Sequence, residues 1–258
     1  MSTRTLTVER DGPVLHVWLD RPERRNALNG EALDEIATLF TGLRTDFATR
    51  VVVLGGRGAS FCAGADRKDP PGSGRLAASS DASDRERRYT AQIGLRAARA
   101  IEDAEVPTIA RLHGHVIGGG FVLALACDFR IAAEGTIFAV PEVELGIPLT
   151  WGGTPRLVQE VGTARAREIL LLCERFGTEE AERWGVLHRA VSAAELDTAT
   201  DAWARRLAEM PELAVHMTKT QLRAYGRRAA LGDVTETDGD VLMGASRTTT
   251  AKRSFPRS

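Results

Sequence analysis

The stretch HGHVIGGGFVLALACDFRIA, residues His113 to Ala132, sets three consecutive glycines directly ahead of an apolar run. Each glycine costs a helix roughly 1 kcal/mol relative to alanine. Gly118, Gly119 and Gly120 therefore work against the buried helix that the following residues predict. Two uses of such a triplet are physically available. Bare backbone packs closely against a neighbouring strand, or a glycine-opened helix offers unpaired N–H groups to a ligand, with the helix dipole behind them. The spacing fits neither the dinucleotide fingerprint GxGxxG nor the phosphate loop GxxxxGK(S/T), so a nucleotide phosphate is not expected at this helix.

Around this stretch, strands alternate with helices. Thr5 to Arg10 alternates apolar and polar residues and leads through Asp11-Gly12 into Val14–Leu19, which reads as a hairpin. Asn29 is placed to cap a helix whose Leu33, Ile36, Phe40, Leu43 and Phe47 share one face. Val51 to Leu54 is a short apolar strand ended by Gly55-Gly56, and Pro107 to Leu112 and Phe129 to Ala132 repeat the strand pattern. The Pro-, Gly- and Ser-rich segment from Asp69 to Asp84 reads as a mobile loop within one domain, because strand patterns continue on both sides. After Pro155 the chain turns helical. Ser192 and Glu195 predict a capping box ahead of Leu196, Ala199, Trp203 and Leu207, and Pro211 opens a helix carrying Met217 and Leu222. The expectation is an α/β core with a helical C-terminal lobe.

The 258 residues suffice for one large domain or a core with an appendage, and a net charge of −1 argues against nucleic acid as a partner. The basic clusters RERR and AKRSFPR are read as a solvated helix face and a tail. No apolar stretch reaches the roughly 18 residues of a membrane span, and the polar N-terminus is no signal peptide. Cys62, Cys127 and Cys173 lie far apart without a CxxC spacing, which suggests reduced, buried thiols of a cytoplasmic protein. The histidines form no HExxH pattern, and no metal site is expected.

A second turn of small residues, SFCAGADRKD from Ser60 to Asp69, also follows a strand. Two such turns can each supply one N–H to a single developing oxyanion. The chain has no GxSxG sequence and no Ser/His/Asp set, so enolate chemistry fits this pair of donors better than acyl transfer.

Five motifs now occur in order: LDRPERRNALNGEALDEI, FCAGADRKD, HVIGGGFVLALACDFRIA, FAVPEVELGI and WGGTPRLVQEVG. Together they resemble the enoyl-CoA hydratase/isomerase (crotonase) family over residues 5 to 225. The resemblance implies a crotonase-like ββα spiral core with the acyl-CoA site over residues 1–200. It also implies a helical C-terminal trimerisation lobe over 201–258, continuous with the core. The implied substrate is an acyl-CoA thioester, with coenzyme A part of the substrate and no separate cofactor. The implied assembly is a homotrimer or a dimer of trimers. By motif position the oxyanion donors are Ala65 and Gly119, and the acid/base is Glu142 after Pro141. Ala63, Asp66, Gly118 and Val122 fall in the substrate site, and Arg25 and Ala27 match the segment lining the adenine and pantetheine. Lys68 matches a residue near the CoA phosphates, or is simply solvent-exposed.

The chain also departs from that pattern. Hydratases of the family carry a glutamate two residues past the last glycine, where this chain has Val122. Valine holds no water by hydrogen bonding, which argues against efficient simple hydration. One carboxylate beside an enolate still suffices to remove a proton at one carbon and return it at another. Burial of Glu142 among Val140, Val143 and Leu145 should raise its pKa toward neutrality. Glu144 replaces the missing carboxylate if its segment is extended, and faces away if the segment is a helical turn, which is the favoured reading. Trp151 stands where the family has small residues, and either narrows the acyl pocket or packs into the core. The expected activity is thus isomerisation, or another enolate reaction needing one glutamate. The rivals are a non-catalytic acyl-CoA binder and a hydrolase or decarboxylase of the same family.

Overall fold

The computed structural model describes residues 3–71, 82–229 and 237–247. Of the loop between Asp69 and Asp84, residues 72–81 lie outside the described residues, as does the AKRSFPR tail. The RERR cluster lies on the exposed side of a helix, Asp84–Ala91.

The chain opens with the expected hairpin, β1 (Leu6–Asp11) and β2 (Val14–Leu19), paired antiparallel around Gly12, whose φ is +57°. All later pairings of the main sheet are parallel. β3 (Val51–Gly56), β4 (Thr108–Leu112), β6 (Phe129–Ala133) and β8 (Arg189–Val191) complete the order β1-β2-β3-β4-β6-β8. Gly55 and Gly56 continue β3 instead of ending it, and a side chain at Gly55 would collide with the Trp18 ring of the neighbouring strand. Every residue of β3 is buried, as a parallel strand covered on both faces requires.

Helix α1 (Gly30–Gly42) starts where Asn29 Oδ1 accepts from the Ala32 N–H at 3.0 Å. Leu33, Ile36, Phe40 and Leu43 are buried, but Phe47 is 86% exposed. The helix stops at Gly42 and the chain passes through a 3-10 turn, Leu43–Thr45, so helical spacing no longer aims Phe47 at the core. Helix α2 (Asp84–Ala91) leads into α3 (Ile93–Glu102), and with α1 the helices α3 and α4 (Gly119–Ala126) lie on the side of the larger core.

Two further helices, α5 (Gly153–Leu172) and α6 (Thr178–Arg183), lead to β8 and then to α7 (Leu196–Glu209). Ser192 and Glu195 do bond each other, Oγ to Oε2 at 2.7 Å, one turn before α7 begins. Leu196, Ala204 and Ala208 pack against Val51, Val53, Ile109 and Ile131 on the second face of the sheet, with Ala199, Trp203 and Leu207 beside them. The approximate boundary at residue 200 falls inside α7, and Trp203 and Leu207 belong to the intramolecular core. Beyond it come α8 (Glu212–Ala229) and α9 (Asp238–Ala245). Lys219 ties α8 to the core, reaching Asp128 at 2.6 Å and the Val106 carbonyl at 2.8 Å. Asp128 also accepts from the N–H and hydroxyl of Thr108. The Cys127-Asp128 pair thus ends α4 with one buried thiol and one structural anchor.

A second, smaller layer carries the site. β5 (His115–Ile117) and β7 (Ile137–Ala139) pair in parallel, and single bridges extend the row from Cys62 to Val116 and from Phe138 to Phe176. Among the described residues no helix is long and apolar enough to cross a membrane.

Candidate active site

Three segments of the small layer run side by side and end together. Cys62 N–H donates to the His115 carbonyl at 2.9 Å, Ile117 N–H to Cys62 at 3.0 Å, and Gly118 N–H to Ala139 at 2.9 Å. Because the segments are parallel, their C-terminal ends emerge at one edge. Those ends are the Ala65 turn, the glycine triplet and Pro141-Glu142.

At the first end, Leu28 N–H donates to the Gly64 carbonyl and Asp66 N–H to Leu28, each at 2.8 Å. This pairing turns the intervening Ala65 N–H to the opposite side. At the second, α4 begins at Gly119, whose N–H is one of the orphan donors of a first helical turn. Among the described residues, neither N–H is paired with a protein acceptor. The two turns touch. A Cβ on Gly64 (φ +88°) would stand 2.9 Å from the Ile117 carbonyl and 3.9 Å from Gly119 N.

Each glycine of the triplet clears space for a different neighbour. A Cβ on Gly118, at φ +49°, would lie 2.4 Å from Glu142 Oε1. One on Gly119 would lie 2.3 Å from Trp151 Cζ3, and one on Gly120 would lie 2.6 Å from Cys62 Cβ. The packing use foreseen for the triplet is met at all three glycines.

Glu142 Oε2 is buried without a hydrogen-bond partner. Burial strips the carboxylate of water and pushes its pKa up to about 7, against a smaller opposing effect of its own backbone N–H. The direction is as expected, but the cause differs. Val140 is buried, whereas Val143 is 44% exposed and Leu145 only half-buried. The mouth of α4 closes over the carboxylate in their place. From Pro141 to Ile147 the chain winds in helical turns, with Leu145 N–H donating to Pro141 and Ile147 N–H to Glu142. Glu144 is exposed on that turn and supplies no second carboxylate. Val122 is fully buried, with Cγ2 lying 2.7 Å from where a Cβ on Gly153 would be.

The remaining expected residues divide. Asp66 is buried and its oxygens are taken by protein donors: Arg21 at 2.9 Å, and the N–H groups of Lys68 at 2.9 Å and Asp69 at 3.2 Å. Burial alone would raise its pKa, but the Lys68 and Arg21 bonds outweigh that and hold it below the usual carboxylate range. These three bonds hold Asp66 in the turn that follows Ala65. Lys68 is exposed. Arg25 is also exposed, at φ +51°, and its carbonyl accepts from Ala63 N–H at 3.0 Å. Half-buried Ala27 accepts from Arg21 through its carbonyl.

Sequence reasoning missed Asn26. It is buried at φ +56°, and its side chain accepts from Arg21 N–H and donates to the carbonyls of Arg57 and Ser60. It pins the Arg25–Leu28 segment to the oxyanion turn. The available signal was the residue type, since asparagine tolerates a left-handed backbone better than most.

Two unpaired backbone donors and one buried carboxylate whose pKa is raised toward neutrality are a set of groups able to stabilise an enolate and carry a proton. The family profile described as Enoyl-CoA hydratase/isomerase matches residues 9–255. A crotonyl-CoA hydratase of Syntrophomonas wolfei is 34% identical over 94% of this chain and 87% of its own length. A carnitinyl-CoA dehydratase of Salmonella enteritidis is 36% identical over 86% of this chain and 81% of its own. Among solved structures, an enoyl-CoA hydratase from Mycobacterium avium subsp. paratuberculosis superposes with a TM-score of 0.85 at 25% identity, covering 97% and 94% of the two chains. An enoyl-CoA hydratase from Bacillus anthracis gives 0.76 at 28% identity, covering 88% and 90%.

Proposed function

Because the chain belongs to the enoyl-CoA hydratase/isomerase family, we propose that it is an acyl-CoA enzyme that moves a single proton through Glu142 at a stabilised thioester enolate. The thioester oxygen accepts from the N–H groups of Ala65 and Gly119, which draws charge onto that oxygen and acidifies the α-carbon. Glu142 takes the α-proton, leaving the electron pair delocalised over the thioester and an adjacent double bond. The protonated Glu142 then returns the proton at the γ-carbon, and the double bond has shifted from the 3 to the 2 position. Arg25, Ala27 and Lys68 line the path of the coenzyme A portion, and no separate cofactor takes part.

The observation that carries this reading is the buried Glu142 oxygen, unpartnered among the described residues, in a chain whose sequence has Val122 where the family's hydratases carry a second glutamate. A second reading, reversible hydration or dehydration by Glu142 alone, is favoured by the names of the relatives. Incubating the purified protein with 3-enoyl-, 2-enoyl- and 3-hydroxyacyl-CoA in deuterated water, with mass detection, separates the two. Conversion of 3-enoyl to 2-enoyl thioester with little hydroxyacyl product supports isomerisation. Rapid interconversion of 2-enoyl and 3-hydroxyacyl thioesters supports the second reading. Thioester binding without any turnover leaves a non-catalytic binder.

The same reading includes a cytoplasmic trimer or dimer of trimers. Leu213, Met217, Leu222 and Tyr225 on α8 are exposed and supply the apolar surface for it. A monomer in sedimentation at micromolar concentration would refute that assembly.

A further inference from the structure

We infer that Trp151 is a fixed plug that confines this site to short acyl chains, an inference that rests on the thioester reading above. The indole lies in a slot made by two glycines on different helices. A Cβ on Gly94 of α3 would fall 2.0 Å from Trp151 Cδ2 and Cε2, and one on Gly119 of α4 would fall 2.3 Å from Cζ3. No side chain other than hydrogen fits on either side while the ring is there. The ring therefore rests directly on the residue whose N–H holds the thioester oxygen, and only 7% of Trp151 remains accessible.

The backbone beneath it is strained and held. Trp151 adopts φ +59°, a conformation that a bulky side chain rarely takes, and Gly152 follows at φ +72°. Such strain persists only where surrounding contacts over-determine it, and it marks positions of functional use. Here the Gly152 N–H donates to Asp238 Oδ2 at 2.6 Å and the Gly153 N–H to the Thr150 carbonyl at 3.0 Å. Arg156 donates to the carbonyls of Trp151 at 3.1 Å and Gly152 at 2.9 Å. A turn clamped from three directions does not swing its side chain aside for a longer ligand.

The direction of the acyl chain follows from the other residues. With the thioester oxygen between Ala65 and Gly119 and the α-carbon near Glu142, the next carbons run toward the indole that rests on Gly119. A short acyl group ends at the ring, and a long one meets it.

Saturated thioesters test this without needing turnover. Calorimetry with butyryl-CoA and decanoyl-CoA is expected to show the wild type preferring butyryl-CoA by tenfold or more. In Trp151→Gly, which also relieves the left-handed strain, that preference should fall at least tenfold. Trp151→Phe, with a smaller ring and a milder packing change, should fall between the two. A wild type that binds decanoyl-CoA as tightly as butyryl-CoA overturns the plug. So does an unchanged preference in folded Trp151→Gly, or in Trp151→Phe where the glycine variant does not fold, since core packing alone would alter stability and leave the ratio. Binding of neither thioester by wild type and variant alike would instead remove the thioester reading, and the plug with it.

Discussion

The carboxylate of Glu142 occupies the place that a side chain on Gly118 would take, with Oε1 2.4 Å from the missing Cβ. Among the described residues Oε2 has no hydrogen-bond partner. Its position is set by a gap in the neighbouring backbone. The same gap keeps water away, and this raises the pKa toward 7.

Gly118→Ala should therefore damage the chemistry more than the fold. The variant meets both a left-handed φ of +49° and a direct overlap with the carboxylate. Displacing the proton carrier by even about 1 Å costs roughly 10²-fold in rate. Steady-state kinetics should show kcat falling by about that factor, with circular dichroism unchanged. Near-normal kcat would mean that Glu142 does not act from where it lies.

Glu142→Gln keeps the shape and removes the basic oxygen. Turnover should fall roughly 10²–10⁴-fold, the usual contribution of general acid–base catalysis, with thioester affinity nearly retained. Glu144→Gln should change little, because Glu144 points to solvent from a helical turn. Equal losses in the two variants would show that Glu144 takes part after all.

The pH profile should locate the raised pKa. Glu142 must be ionised to take the α-proton, so kcat/KM should climb tenfold per pH unit below about 7 and level off above it. A profile flat from pH 5 to 8 would contradict the assignment.

Stability should carry the opposite signature. Folding raises the Glu142 pKa from 4.5 to about 7, so the folded state binds the extra proton between those values. Stability is fully present below the unfolded pKa and is lost as pH rises through the folded one. Glu142→Gln lacks this loss, and its advantage over wild type should grow across the window to at most about 3 kcal/mol. Denaturant unfolding at pH 5 and pH 8 measures the difference. A gain that shrinks toward pH 8 would be inconsistent with a buried neutral carboxyl.

Asp66 responds in the other direction. Its pKa is lowered in the fold, so its contribution is present above the unfolded value and lost as pH falls through the folded one. Asp66→Ala leaves Arg21, largely buried, without that partner and frees the oxyanion turn. A stability loss of roughly 2–3 kcal/mol is expected, with a fall in kcat as the Ala65 N–H loses its orientation. Loss of stability with kcat untouched would separate the turn from the chemistry.

Much of this protein was legible in its residues. The hairpin, the Asn29 cap and the apolar strand at Val51 depend on neighbours within a few positions, and local spacing reports them directly. The order of the five motifs identified the family, because each motif carries a turn or donor that the fold needs at that point in the chain. The site could be named but not built. Ala65, Gly119 and Glu142 lie far apart in sequence and meet only because parallel segments of the small layer end at one edge. Asn26 was invisible as an anchor because its acceptors, Arg57 and Ser60, belong to a different segment. Phe47 shows helical periodicity failing one turn after the helix has stopped. Trp151 was ambiguous between wall and core, and packing sets it in the core, since the ring needs glycines from two helices that no local pattern joins. Short-range spacing determined what each segment is, and tertiary packing decided which neighbours share one small volume, where burial sets the charge of Glu142.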